Sequence, residues 1–160
     1  GDILSLRSVI LATPFPSDHM ESKSIELDQS AIAAFASQFD PQPYHLDASA
    51  ADQSIFGGLC ASGWHIAALA TRLVIETLLA NGLPFVEMTS VSRLKWSRPT
   101  FVNEKISVRV TVGTSDEESP IANTHCQTLE IEVCNGNGAI VATMTASAAI
   151  AIDAALAAST

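Results

Sequence analysis

The sequence predicts an α+β fold, with helices first and an antiparallel sheet after them. Up to Gly82 the apolar residues recur at helical spacing between capping residues, whereas beyond Pro84 they alternate with polar ones. A third observation is the run from Ala61 to Asn81. It is apolar on most sides of a helix, so a sheet that curls around it is the simplest way to bury it.

Val9 to Ala12 reads as a strand within an arm that Pro14 and Pro16 make irregular. Ser24 to Leu27 reads as a short strand, after which Asp28 caps a helix whose Ile32, Ala33, Phe35, Ala36 and Phe39 fall mostly on one face. Pro41 and Pro43 stop this helix and fix an extended loop through His45. Asp47 then caps a short helix that runs through Gln53, and Gly57 and Gly58 release the chain into the long helix, which Gly82 ends. On that helix Arg72 and Glu76 stand four apart and can pair. His65 lies on nearly the same stripe, which predicts a stripe facing water or a subunit boundary.

Phe85 to Ser97 reads as one long strand. Ile106, Val108, Val110 and Val112 mark a second by strict alternation, and Leu129, Ile131 and Val133 mark a third. Asn135-Gly136-Asn137-Gly138 is a hairpin turn, since Asn and Gly adopt positive φ cheaply. A last strand spans about Ala139 to Ile152.

The 160 residues fit one domain, residues 1–160, with one core. Hydrophobic residues make up 48% and charged ones 16%, which excludes disorder and predicts that part of the surface is covered by another subunit, as a homodimer or larger homo-oligomer. The net charge of −9 argues against nucleic acid and against anionic membrane as partners. Cys60, Cys126 and Cys134 are odd in number and too few for a disulfide framework, so a reducing, cytoplasmic setting is expected. No basic-then-apolar segment opens the chain, and Arg72 and Glu76 interrupt its longest apolar stretch, which reads as a buried helix and not a membrane span. The three cysteines show no zinc-type spacing and no electropositive setting, and no phosphate-cradling glycine loop is present. No metal and no separate cofactor are therefore expected.

Asp40 and His45 sit five apart on a proline-stiffened segment tied to a helix end, a spacing that alone carries little. Its surroundings carry more. The stretch Ala34-Phe35-Ala36-Ser37-Gln38-Phe39-Asp40-Pro41-Gln42-Pro43-Tyr44-His45-Leu46-Asp47, followed by Phe56-Gly57-Gly58-Leu59-Cys60-Ala61-Ser62-Gly63, resembles the MaoC-like dehydratases and (R)-specific enoyl-CoA hydratases of the hot-dog fold. The resemblance runs from about Ile25 to Ile152. It implies an antiparallel sheet wrapped around a long central helix, and a reversible syn addition of water to a trans-2-enoyl-CoA thioester giving the (R)-3-hydroxyacyl thioester.

On this resemblance Asp40 and His45 are the acid/base pair. A carboxylate and an imidazole within reach of one water can take one proton and return one to C2, and partial burial would bring both toward neutral operation. The developing enolate needs a donor, and the N–H of Gly63 at the start of the long helix is the candidate. The chain departs from the family pattern at Gln42, Tyr44 and Ser62, where Asn, a small aliphatic and His are frequent, and at Asn103-Glu104, where Gly-Asp is common. Tyr44, Ser62 and Trp64 are accordingly expected at the substrate, with Tyr44 and Trp64 narrowing the acyl pocket. Arg93, Lys95, Arg98, Lys105 and Arg109 form one basic band in an acidic chain, and Arg93, Lys95 and Arg98 are expected to hold the coenzyme A phosphates.

Plainer accounts stand beside these. Asp40 can cap a local turn while His45 satisfies a backbone carbonyl, the glycines can serve turn geometry alone, and His65 can be structural. Two other functions fit the same fold: a thioesterase, with water aimed at C1, and a non-catalytic acyl-CoA-binding module.

Overall fold

The computed structural model describes residues 19–153. The proposed strand at Val9–Ala12 and the Ala-rich C-terminal tail lie outside them. In chain order the elements are β1 (Met20–Glu21), β2 (Ile25–Glu26), α1 (Gln29–Phe39), α2 (Pro43–Leu46), α3 (Ala48–Asp52), α4 (Gly63–Ala80), β3 (Phe85–Trp96), β4 (Lys105–Thr114), β5 (Thr124–Asn135) and β6 (Ile140–Ala151).

Local chemistry explains most boundaries. Asp28 caps α1 by accepting from the Ala31 N–H at 2.7 Å, and Asp47 caps α3 by accepting from the Ser49 N–H at 2.9 Å. Gly82, at φ +79°, closes α4, and the Leu83 N–H turns back to the Leu78 carbonyl at 3.0 Å. The β5–β6 turn is held by the Asn135 carboxamide oxygen, which accepts from the N–H groups of both Asn137 and Ala139 at 3.0 Å.

The strands form one antiparallel sheet in the order β1-β4-β5-β6-β3, with β2 also on β4. β1 and β2 act as one interrupted edge strand, and the Ser22 hydroxyl fills the gap by accepting from the Val108 N–H at 2.8 Å. The inner face packs Leu129, Ile131, Val133, Met144 and Ala146 against Ile66, Ala70, Leu73, Val74 and Leu78 of α4, all buried. The helix is apolar enough to cross a membrane by length and composition, but this flank is spent on the sheet. Its other flank is open, with Trp64 and Leu79 at least half exposed.

β3 departs from regular pairing. Register shifts fall between Phe85 and Glu87, Met88 and Ser90, and Val91 and Arg93, so its inner-face residues Met88, Val91 and Leu94 recur every third position and not every second. Two of the extra residues, Thr89 and Ser92, donate their hydroxyls to the carbonyls of Ser147 and Thr145, each at 3.3 Å. Those bonds replace ladder bonds that the bulges remove.

Three expectations change. The segment after α1 is not an extended loop: Pro43 takes the first position of a one-turn helix, where its missing N–H costs nothing. Phe39 lies off the buried face of α1 and is 67% exposed. His65 is buried, its ring stacked on Phe35 at 4.7 Å, because α1 lies across the first turn of α4, while Arg72 two turns on reaches Glu76 at 3.0 Å in the open.

Candidate active site

Asp40 follows the last residue of α1, its N–H donating to the Ala36 carbonyl, and Gln42 turns back to the Asp40 carbonyl at 2.8 Å. The turn delivers His45 into α2. The α2 turn is docked by the Cys60 N–H, which reaches the Tyr44 carbonyl at 3.2 Å, while Ala61 reaches the Thr100 carbonyl at 2.9 Å.

The His45 ring is buried, and its Nδ1 lies 2.6 Å from the Cys60 carbonyl oxygen. A carbonyl only accepts, so Nδ1 carries the proton and Nε2 of the neutral ring presents a lone pair. That Nε2 faces Asp40 Oδ2 at 3.5 Å. Two acceptors cannot bond each other, but one molecule with two O–H groups can donate to both. The plainer account of His45 is thus true of Nδ1 and leaves Nε2 free for chemistry.

Ser62 is fully buried and works twice: its hydroxyl donates to Asp40 Oδ2 at 2.7 Å and accepts from the Trp64 N–H at 3.2 Å, as the N-cap of α4. One side chain therefore fixes the carboxylate and starts the helix. The next residue, Gly63, opens α4, and its N–H has no acceptor within the described residues. It is one of the orphan donors that every helix N-terminus leaves.

His45 and Gly63 meet at a cleft of about 360 Å³ that is also lined by Tyr44, Phe56, Trp96 and Arg98, among others. Asp40 does not line it: its side chain is 24% exposed and connects to the cleft through His45. Cys60 also borders the cleft, with its sulfur 3.8 Å from His45 Nδ1, and burial pushes its thiol up, so it stays an uncharged wall. Burial also lowers His65 and His125 below the usual imidazole range.

Asp40, His45, Gly63, Tyr44 and Ser62 are thus brought together, but Ser62 is committed to Asp40 and has no free hydroxyl for a ligand. Trp64 is outside. It borders an open apolar groove of about 510 Å³ between α4 and β3, with Met88, Val91, Leu94 and Met144. That groove is the larger of the two but has neither the imidazole nor the Gly63 N–H, both of which line the smaller cleft.

The basic band also comes apart. β3 and β4 are separated by β5 and β6, so Lys105 and Arg109 stand across the sheet from Arg93 and Lys95, and Arg109 is spent on Glu132 at 3.6 Å. Arg93 lies opposite Thr145 and Lys95 opposite Thr143; Arg93 borders the apolar groove, and neither of them lines the cleft. Only Arg98 reaches the cleft.

Trp96 was not expected in the cleft. Its indole N–H donates to the Gly63 carbonyl at 2.8 Å, and a Cβ placed on Gly63 would come within 2.7 Å of the ring. Nothing in the sequence links residues so far apart, although the need for glycine at 63 was a sign that something lies against it.

The chain matches the MaoC like domain family over residues 13–134. Among curated proteins it is similar to the uncharacterized protein YdeM of Bacillus subtilis (strain 168), 28% identical over 92 residues. That match covers 58% of this chain and 64% of the relative, a little under two thirds of its length. Among solved structures it is similar to the MaoC-like dehydratase from Rhodospirillum rubrum, with 33% identity, a TM-score of 0.68 and coverage of 83% of this chain and 90% of that one. It also resembles the (R)-hydratase from A. caviae involved in PHA biosynthesis, with 23% identity, a TM-score of 0.64 and coverage of 85% and 98%. The sheet wrapped around α4 is the hot-dog fold of these neighbours.

Proposed function

The chain belongs to the MaoC like domain family, and from that premise we propose that it adds water to a trans-2-enoyl-CoA thioester to give the (R)-3-hydroxyacyl-CoA, or runs the reverse dehydration. The observation that carries this reading is the pair of acceptors, His45 Nε2 and Asp40 Oδ2, 3.5 Å apart beside an unpartnered helix N-terminal N–H.

One water donates to both acceptors. As its oxygen bonds to C3, one proton passes to the pair and the C2=C3 electrons move onto the thioester oxygen. The Gly63 N–H holds that enolate oxygen, with the partial positive charge of an 18-residue helix behind it. The enolate then collapses, and C2 takes the proton back from the pair. Both new bonds form on the face of the substrate turned toward the dyad, which makes the addition syn. No group is consumed.

Arg98 at the cleft supports a phosphate-bearing coenzyme A carrier, and the net charge of −9 disfavours an acidic acyl carrier protein. The free edge of β3, with Val91 48% exposed, suits pairing with a second copy of the chain as a homodimer. The three buried free thiols fit a cytoplasmic setting.

The test is absorbance of the enoyl thioester band with crotonyl-CoA and a thiol reagent present. Loss of the band without thiol release supports hydration, and thiol release assigns the protein as a thioesterase. Asp40→Asn and His45→Gln should each lower hydration by about 10²–10⁴-fold. Unchanged turnover in either variant removes the acid/base assignment.

A further inference from the structure

Resting on the hydratase reading, we infer that Trp96 is the end wall of the acyl compartment and restricts the protein to short-chain enoyl thioesters. On the inner face of the sheet, Leu94 pairs with Met144 and Trp96 with Ala142, so these are consecutive positions along one strip. Leu94 and Met144 line the apolar groove, while Trp96 and Val141 line the cleft. On α4 the same division falls between Gly63, in the cleft, and Trp64, in the groove. The two indoles touch edge to face at that division, with centroids 4.9 Å apart and planes at 75°.

The wall is also fixed in place. Trp96 is tied to the Gly63 carbonyl at 2.8 Å, and its ring lies so close over Gly63 that even a methyl group there would collide with it. A ring held by a hydrogen bond on one side and a second indole on the other does not swing aside at low cost. An acyl chain entering beside His45 therefore stops at Trp96, although apolar space continues beyond it. The polar end of the cleft, at Ser97, Arg98 and Thr100, is left for the carrier.

The experiment measures two quantities separately. Binding of saturated butyryl-, hexanoyl-, octanoyl- and decanoyl-CoA by calorimetry tests the wall without needing turnover. Hydration of the matching enoyl-CoAs tests the function. A pocket that accepts a lengthening chain gains roughly fourfold in affinity per buried methylene. The wild type should show no such gain beyond the shortest chains, whereas Trp96→Ala should raise the octanoyl-to-butyryl affinity ratio at least tenfold. Trp96→Phe, which keeps a ring, should retain the short-chain preference, and Trp96→Leu gives a graded reading should Trp96→Ala fail to fold. An equal ratio in wild type and Trp96→Ala, or a wild type that already gains with every methylene, overturns the wall. Acyl-CoA binding that responds to Trp96 without hydration of any chain length leaves the wall standing and overturns the hydratase reading. A wild type that binds no acyl-CoA overturns both.

Discussion

Replacing Ser62 with Ala removes one hydroxyl and disables two things. The first is the N-cap of α4, whose loss costs about 0.5–2 kcal/mol. The second is the 2.7 Å bond to the Asp40 carboxylate, of the kind worth about 1.5–3 kcal/mol, with Asp40's partial exposure placing it near the low end. Together they predict a loss of about 2–3 kcal/mol and a fall in Tm of roughly 5–10 °C for a domain of this size. The cap contributes to stability alone, whereas the Asp40 bond also sets the dyad. A carboxylate freed to move by about 1 Å should lower kcat by about 10²-fold. Urea denaturation of wild type, Ser62→Ala, Asp40→Asn and the double variant isolates the second part. Because the hydroxyl and carboxylate are in direct contact, their coupling should reach about 1 kcal/mol. If the two single losses simply add, or if Ser62→Ala keeps full turnover, the claim that Ser62 positions Asp40 is wrong.

Gly63→Ala drives a methyl into the Trp96 ring and should cost about 1–3 kcal/mol by urea denaturation, most of it recovered in a Trp96→Ala background; an equal cost in both backgrounds would contradict the close approach. Arg98→Ala should raise KM for enoyl-CoA by about tenfold and leave KM for the phosphate-free pantetheine thioester unchanged. Val91→Asp, placed on the exposed edge strand, should shift the particle mass by light scattering toward the monomer. For His65 and His125 burial lowers the folded pKa, so below the ordinary value of 6.5 the unfolded chain binds more protons than the folded one. Stability is therefore complete above 6.5 and declines as pH falls toward the lower folded values. The urea midpoint should drop between about pH 7.5 and pH 5.5, and the His65→Phe/His125→Phe variant should flatten that slope.

The sequence makes caps and alternation visible, because both depend on residues close in the chain. Asp28, Asp47 and Gly82 act where their chemistry predicts, and β4 to β6 follow the alternation of Ile, Val and Ala. Asp40 and His45 are legible as a pair for the same reason: one helix end and one proline turn connect them. What spacing does not carry is anything decided by the sheet. The basic band looks continuous because Arg93 to Arg109 are near in sequence, yet two strands are inserted between its halves. Trp64 looks like a pocket residue because it follows Gly63, yet helix geometry turns it about 100° away from its neighbour. Trp96, more than thirty positions on, takes that place. His65 shares a stripe with Arg72, and only the crossing of α1 separates their environments.

The bulges in β3 have a consequence for how this protein can change. Twelve residues, Phe85 to Trp96, are matched to the nine from Ala142 to Ile150 of β6, so Val86, Thr89 and Ser92 are surplus to the pairing and each bulge takes up one of them. Losing one codon at Thr89 or Ser92 would close that bulge and leave Leu94 and Trp96 facing the helix, whereas losing Lys95, beyond the last bulge, would turn Trp96 outward. In a strand of this kind spare length is stored where the bulges lie, and descendants should tolerate a deletion there far more readily than one at the end of the strand.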